Sequence, residues 1–287
     1  LLSGGSQSGG MDERAALDLV GGLVSGAGDD AAVVGDTALT IDMLHEATDF
    51  PPGTTRYTAG WRAVGASLSD VAATGAAAAA AVAAYAAPEF EEDELSEFVA
   101  GANEVCEAVG AEYVGGDLDG HDEFTVATAA VGDADGQVGR GGARPGDSVV
   151  VTGSLGRSAA AMEYFDRGDA ERANALFQFM PRVAAGRALA AHATAMMDSS
   201  DGLARSLHQL SAASGCGFDV DGDAIPVADD LAGLVADPLD RAVTFGEDFE
   251  LVATVPPERV DAAREAVPVE LTVVGEATPS GDRKSVV

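Results

Sequence analysis

The sequence predicts a mixed fold, α/β or α+β, arranged in two domains. Three observations lead there. At 287 residues the chain is long enough for two domains of ordinary size. Segments patterned like strands alternate with segments of helical spacing along most of its length. A glycine-rich connector at 132–146 interrupts that alternation and sets the boundary. Residues 1–10 read as a disordered leader, 11–143 as the first domain and 144–287 as the second.

The first domain opens with a helix over 11–24, carrying Ala15, Leu17, Leu19, Val20 and Leu23, and stops at Gly28-Asp29-Asp30. Residues 31–34 and 38–42 form two strands joined by the Gly35-Asp36 turn. Such a hairpin brings Asp29 and Asp30 towards Asp42, although Gly-Asp-Asp alone is also an ordinary turn. A helix over 57–74 follows Thr54-Thr55, with Val64, Leu68 and Val71 on one face and Asp70 on another. Its small-residue end, 72–76, admits another backbone or a nucleotide. Residues 78–86 read as a buried strand and 92–109 as an acidic amphipathic helix. A short strand at 112–114 runs into Gly115-Gly116-Asp117, either a close approach to a ligand or a hairpin turn, and 124–131 is the returning strand.

In the second domain, strand 147–152 leads through Gly153-Ser154-Leu155-Gly156 to helix 158–165, without the lysine or the spacing of a P-loop. Helices at 169–179 and 182–192 precede the stretch on which the chain centres, Met196-Met197-Asp198-Ser199-Ser200-Asp201-Gly202-Leu203. An apolar strand, 190–197, enters it and a helix, 203–213, leaves it. At a helix start the free N–H groups and the positive dipole end favour anions. Asp198 and Asp201 can hold Mg²⁺ there, and Ser200 with the backbone can hold a phosphate. A plain N-cap is the competing reading. A strand at 217–221, a helical piece at 231–235, Gly246-Glu247-Asp248 turning into strand 249–255, a helix at 257–266 and a strand at 270–274 complete the fold.

Net charge is −32, from 16 Lys+Arg against 48 Asp+Glu, and the acids are spread along the chain. This is the pattern of a salt-adapted protein, whose self-repulsion high ionic strength screens. No basic patch exists to release counterions, so nucleic acid and membrane surfaces are excluded as partners. No stretch has the length and apolarity of a bilayer span, and residues 1–10 lack the features of a signal peptide, so a cytoplasmic protein is expected. Cys106 and Cys216 give neither a zinc spacing nor a disulfide framework. With cations so scarce, Arg140 among glycines is a candidate phosphate contact.

The ordered motifs Gly28-Asp29-Asp30, Thr40-Ile41-Asp42, Ser67-Leu68-Ser69-Asp70, Gly115-Gly116-Asp117, Arg140, Asp198-Ser199-Ser200-Asp201-Gly202 and Gly246-Glu247-Asp248-Phe249-Glu250-Leu251 together resemble the thiamine-monophosphate kinase family. That family lies within the aminoimidazole-ribonucleotide-synthetase type of ATP enzymes. The resemblance implies a two-domain fold of that type, with a homodimer formed through the N-terminal sheet. It implies transfer of the γ-phosphoryl of ATP to thiamine monophosphate, with several Mg²⁺ ions and K⁺ as a further candidate cation. By resemblance Asp30, Thr40, Ile41 (through its backbone), Asp42, Asp70, Asp117, Asp198 and Asp201 match metal-binding positions, and Asp29 stands beside them as a further candidate. Asp42, Asp117 and Asp201 are the positions expected to matter most for catalysis. Gly116, Asp117, Arg140 and Ser200 match nucleotide contacts, and Asp49 and Glu247 match substrate contacts. Asp49 stands where many relatives have His, Phe245 where a second glycine is usual, and no glycine-aromatic tail closes the sequence. The competing readings are another ATP-using enzyme of the same superfamily and a non-catalytic nucleotide- or metal-binding relative.

Overall fold

A computed structural model describes residues 13–24, 28–134 and 137–280. The expected leader at 1–10, Asp135 and Gly136 of the connector, and the sequence end at 281–287 lie outside the described residues. The first half runs α1 (Glu13–Leu23), β1 (Ala32–Val34), β2 (Thr37–His45), α2 (Glu46–Asp49), α3 (Arg56–Ala73), β3 (Ala77–Ala87), α4 (Glu92–Val109), β4 (Glu112–Gly120) and β5 (Thr125–Asp133). Its five strands form one sheet in the order β1-β2-β5-β3-β4, in which only β3 and β4 are parallel. The second half runs β6 (Ser148–Thr152), α5 (Arg157–Asp166), α6 (Ala170–Phe177), α7 (Val183–Ala190), β7 (Ala195–Asp198), α8 (Leu203–Ser214), β8 (Cys216–Val220), α9 (Pro238–Phe245), β9 (Leu251–Val255), α10 (Val260–Ala266) and β10 (Leu271–Pro279). Its sheet has the order β7-β9-β6-β10-β8 and is antiparallel throughout.

Helix α3 positions the site. Thr55 caps it by accepting a hydrogen bond from the Thr58 amide at 3.1 Å. Most of its length is buried, against the first sheet and α4 on one side and α7 on the other. Its small-residue end serves the approach of another backbone. A Cβ on Gly186 of α7 would stand 2.1 Å from the Ala72 carbonyl oxygen, so the two helices cross almost in contact. Ala72 and Ala73 thereby enter a core with Val150, Leu189 and Met196, which joins the two halves.

The structure corrects four of the expectations. β3 is buried on one face only: Ala81, Ala83, Tyr85 and Ala87 point inward, while Val82 and Ala84 are exposed. The helices of this half cover only one side of its sheet. Gly115-Gly116 is not a turn, because β4 runs through both glycines. The close approach at Gly116 is to the neighbouring strand, where a Cβ would stand 1.7 Å from the Ala83 oxygen. β5 does not return along β4 but inserts between β2 and β3. In the second half the helical piece near 231 is a single 3₁₀ turn, Asp229–Leu231, and the helix is α9. Asp237 caps α9 through the Asp240 amide, and Pro238 occupies its first turn.

Candidate active site

Four carboxylates from four segments converge where the halves meet. Asp30 precedes β1, Asp42 lies on β2, Asp70 on the last turn of α3, and Asp198 ends β7. Carboxylate oxygens of Asp30, Asp70 and Asp198 all lie within 4.8 Å of one another. Asp42 stands beside Asp70: its charge raises Asp70, while a hydrogen bond from Asp70 works to lower Asp42.

Hydroxyls hold these carboxylates in place. Ser67 Oγ donates to Asp42 at 2.9 Å and contacts Thr128 Oγ1 at 2.7 Å; Thr128 in turn donates to the Ala63 carbonyl. Ser69 Oγ donates to Asp198 at 2.7 Å. Thr40 Oγ1 donates to Asp70. Two serines two residues apart on one helix thus hold carboxylates of two different sheets. Neither serine was singled out from the sequence as a functional residue. The one local signal for them is the Ser-Leu-Ser-Asp string itself.

The electrostatics ask for a cation. Two like charges 4.8 Å apart repel by about 3.5 kcal/mol at an effective dielectric of ~20. Among the described residues, Arg140 is the only cation bonded to any of the four, with Nη2 2.5 Å from Asp30 Oδ1. Burial pushes Asp30 and Asp42 above the usual carboxylate range. Burial followed by the charges of Asp198 and Asp42 pushes Asp70 well above it. Asp198, 1% exposed, is pushed up to about 8, first by burial and then by Asp30. An all-oxygen donor set of carboxylates and a threonine hydroxyl suits a hard divalent cation such as Mg²⁺. Such an ion would replace the protons these groups otherwise retain.

Beside the cluster opens a cleft of about 1020 Å³, lined among others by Asp29, Arg140, Ser200, Asp201, Arg205 and His208. It brings both Arg140 and Ser200 of the expected nucleotide contacts to one wall. Asp29 faces the cleft and accepts from the Arg140 amide at 2.7 Å, while Asp30 points into the cluster. Asp201 is half exposed and pairs with Arg205 at 3.3 Å, rather than joining the buried group.

The Gly246 loop closes the other side. Gly246 packs so tightly on residues 200–202 that a Cβ would stand 2.4 Å from the Ser200 oxygen. Glu247 N donates to Ser200 O at 2.7 Å, and Ser199 N to Glu250 O at 2.8 Å. Glu247 and Phe249 take left-handed backbone, φ 64° and 54°, a conformation that non-glycine residues seldom hold. Asp248 pins the loop by accepting from the amides of Gly156 and Ser158 at 2.6 and 2.8 Å. Glu250 is clamped by Arg182 Nε and Nη2 at 2.7 and 2.5 Å and by Thr152 Oγ1 at 2.6 Å. Glu247 pairs with Arg62 of α3 at 2.5 Å. Asp49, which accepts from the His45 amide at 2.7 Å, adds its charge to the same corner. Arg62 is a residue that sequence reasoning missed. The scarcity of cations that singled out Arg140 was the available signal.

Two expected residues stand apart. Gly116 and Asp117 lie on the edge strand β4. Asp42, Thr128, Ala83 and Gly116 occupy one row across the sheet, so Gly116 is three strands, about 14 Å, from Asp42. Asp117 is exposed there, its carboxylate accepting from the Leu118 amide at 3.0 Å. Ile41 turns a 75% exposed side chain to the open face of the sheet, and its backbone lies beyond the last β1–β2 pair, Ala32↔Leu39.

Comparison with known proteins shows the family. Residues 28–134 match AIR synthase related protein, N-terminal domain, and residues 144–287 match AIR synthase related protein, C-terminal domain. The class of protein is therefore the AIR-synthase-related one. A thiamine-monophosphate kinase of Halobacterium salinarum is 79% identical over 95% of this chain and 94% of the relative. One from Methanospirillum hungatei is 39% identical over 87% and 88%. Among solved structures, AaThiL complexed with AMPPCP and TMP superposes with a TM-score of 0.87 at 27% identity, covering 95% of this chain and 94% of that one. The chain belongs to the thiamine-monophosphate kinase family.

Proposed function

We propose that this chain transfers the γ-phosphoryl group of ATP to the phosphate of thiamine monophosphate, giving thiamine diphosphate and ADP, in thiamine diphosphate biosynthesis. The observation that carries the reading is the convergence of Asp30, Asp70 and Asp198, with Asp42 beside Asp70, next to a nucleotide-sized cleft. Family membership supplies the substrate pair, in keeping with a relative solved together with AMPPCP and TMP.

Phosphoryl transfer asks a protein mainly for positioning and neutralisation of charge. Asp30, Asp42, Asp70 and Asp198, with Thr40 at their edge, would hold Mg²⁺. Asp201 faces the cleft, where it would reach a further ion on the phosphates. Bound Mg²⁺ would offset the charge of both phosphate chains. Ser67 and Ser69 hold Asp42 and Asp198 by hydrogen bonds and would keep them oriented for the ions. Arg140 and Ser200 would contact the nucleotide, and Asp49 with Glu247 the acceptor. The acceptor phosphate is already ionised, so no general base is required.

We assign most of the nucleotide and metal binding to residues 11–143, with Asp198, Ser200 and Asp201 contributed by residues 144–287. The open face of the first sheet carries Leu39, Ile41, Met43 and Val82 exposed, which suits a homodimer formed through that face. In such a dimer the exposed Gly116–Asp117 of one copy would complete a nucleotide site that its own Asp42 does not reach. No helix among the described residues is long and apolar enough to cross a membrane. The net charge of −32 supports a cytoplasmic, salt-adapted enzyme. Incubation with ATP, Mg²⁺ and thiamine monophosphate in molar KCl, with direct detection of thiamine diphosphate, tests the reading. Product is expected from the natural chain and none from Asp42→Asn. ATP binding without product from the natural chain would reject the acceptor.

A further inference from the structure

Arg62 is a charged residue buried in the middle of a helix, 1% exposed. Its guanidinium carbon lies 3.5 Å from the centroid of the Phe177 ring, and Nη1 donates to the Phe177 carbonyl at 2.5 Å. Nη2 reaches Glu247 Oε2 at 2.5 Å, while Nε has no partner. Arg62 comes from the first half of the chain, and both groups it holds come from the second.

Glu247 is the residue this arrangement controls. Its backbone is fixed on left-handed φ by bonds from both sides: its amide to Ser200 and its carbonyl to Ser158 Oγ at 2.7 Å. Among the described residues its carboxylate has one hydrogen-bond partner, Arg62. The side chain nevertheless keeps 40% of its surface open. One oxygen is therefore anchored, while part of the side chain stays open to a ligand. An exposed glutamate would sample several rotamers, whereas this one is tied to a guanidinium that is itself locked by stacking and a carbonyl.

We propose that Arg62 is the positioning residue for acceptor binding. From across the junction of the two halves it fixes the Glu247 carboxylate in the orientation that receives the cationic, amine-bearing acceptor. The proposal rests on the reading of Glu247 as an acceptor contact. It adds that acceptor recognition depends on how the halves are seated, whereas the nucleotide cleft does not involve this pair.

Steady-state kinetics in ATP and in thiamine monophosphate, on the full chain, separate the possibilities. Arg62→Gln should raise KM for thiamine monophosphate by about tenfold to a hundredfold, the scale of one charge-assisted bond, and leave KM for ATP within about twofold. Arg62→Lys keeps the charge but cannot stack and bond on both sides, so it should recover only part of the loss. Glu247→Gln should raise the same KM, and the double variant Arg62→Gln/Glu247→Gln should be no worse than Glu247→Gln. Equal increases in both KM values, or additive effects in the double variant, would overturn the positioning role and leave Arg62 as a structural tie. An unchanged acceptor KM in Glu247→Gln would instead reject the acceptor corner itself.

Discussion

Two groups of buried carboxylates lie at the same junction and are stabilised in opposite ways. Around the Gly246 loop, Glu250 meets Arg182, Glu247 meets Arg62, and Asp248 meets two backbone amides. Each carboxylate there has its counter-charge or donors within the chain. Asp42, Asp70 and Asp198 meet hydroxyls and one another, and Arg140 alone reaches the group through Asp30. The first group has its partners as folded, although burial still raises Glu247 and pushes Asp248 up to about 7. The second has one arginine among the described residues to offset four carboxylates, and a divalent cation would supply the missing charge.

The contrast can be broken by the same chemical change made on each side. Glu250→Gln removes a buried counter-charge from Arg182 and should destabilise the protein by about 3–5 kcal/mol, measured by denaturant unfolding. Asp70→Asn removes repulsion from the other group. In metal-free protein it should stabilise by about 1–3 kcal/mol, or about 2–4 °C in Tm per kcal/mol, while abolishing product formation. A loss of stability in metal-free Asp70→Asn would mean that the cluster is already compensated.

The fold class and the alternation of elements were legible locally, because amphipathic spacing is a local signal. The neighbour relations were not. Nothing in residues 112–131 says that β5 passes β4 by and pairs with β2 and β3. The same division holds in the site. Asp42, Asp70 and Asp198 stand out beside glycines, hydroxyls and strand ends. Arg62 sits between Trp61 and Ala63 in an ordinary helical pattern, and its partners Phe177 and Glu247 arrive more than 100 residues later. Ser67 and Ser69 likewise gain meaning only once two sheets flank α3. The α9 cap at Asp237-Pro238 was a readable start signal, but the apolar face behind it is too short to count as periodic.

Asp198 gives the second group a pH dependence. Asp198 is pushed up to about 8 from an ordinary value of 3.8, so the metal-free fold keeps a proton that the unfolded chain has lost. Its contribution to metal-free stability therefore falls as pH rises from about 4 to 8 and levels off above. Mg²⁺ needs the ionised form, so its affinity should climb over the upper part of that range. The difference in Tm between Mg²⁺-loaded and metal-free protein should widen from pH 6 to 8 and then flatten. A constant difference would place metal binding elsewhere. The smallest effect expected is that of Ser69→Ala, which frees Asp198 from its hydroxyl and should weaken Mg²⁺ affinity by about tenfold with little change in the KM for thiamine monophosphate.

The uncompensated cluster is expected to hold divalent ions. Counting Mn²⁺ bound per chain by electron paramagnetic resonance, with AMPPCP present, tests it most directly. The natural chain should hold more than one ion, and Asp198→Asn should lose at least one while still binding the nucleotide. An unchanged count in Asp198→Asn would contradict the account.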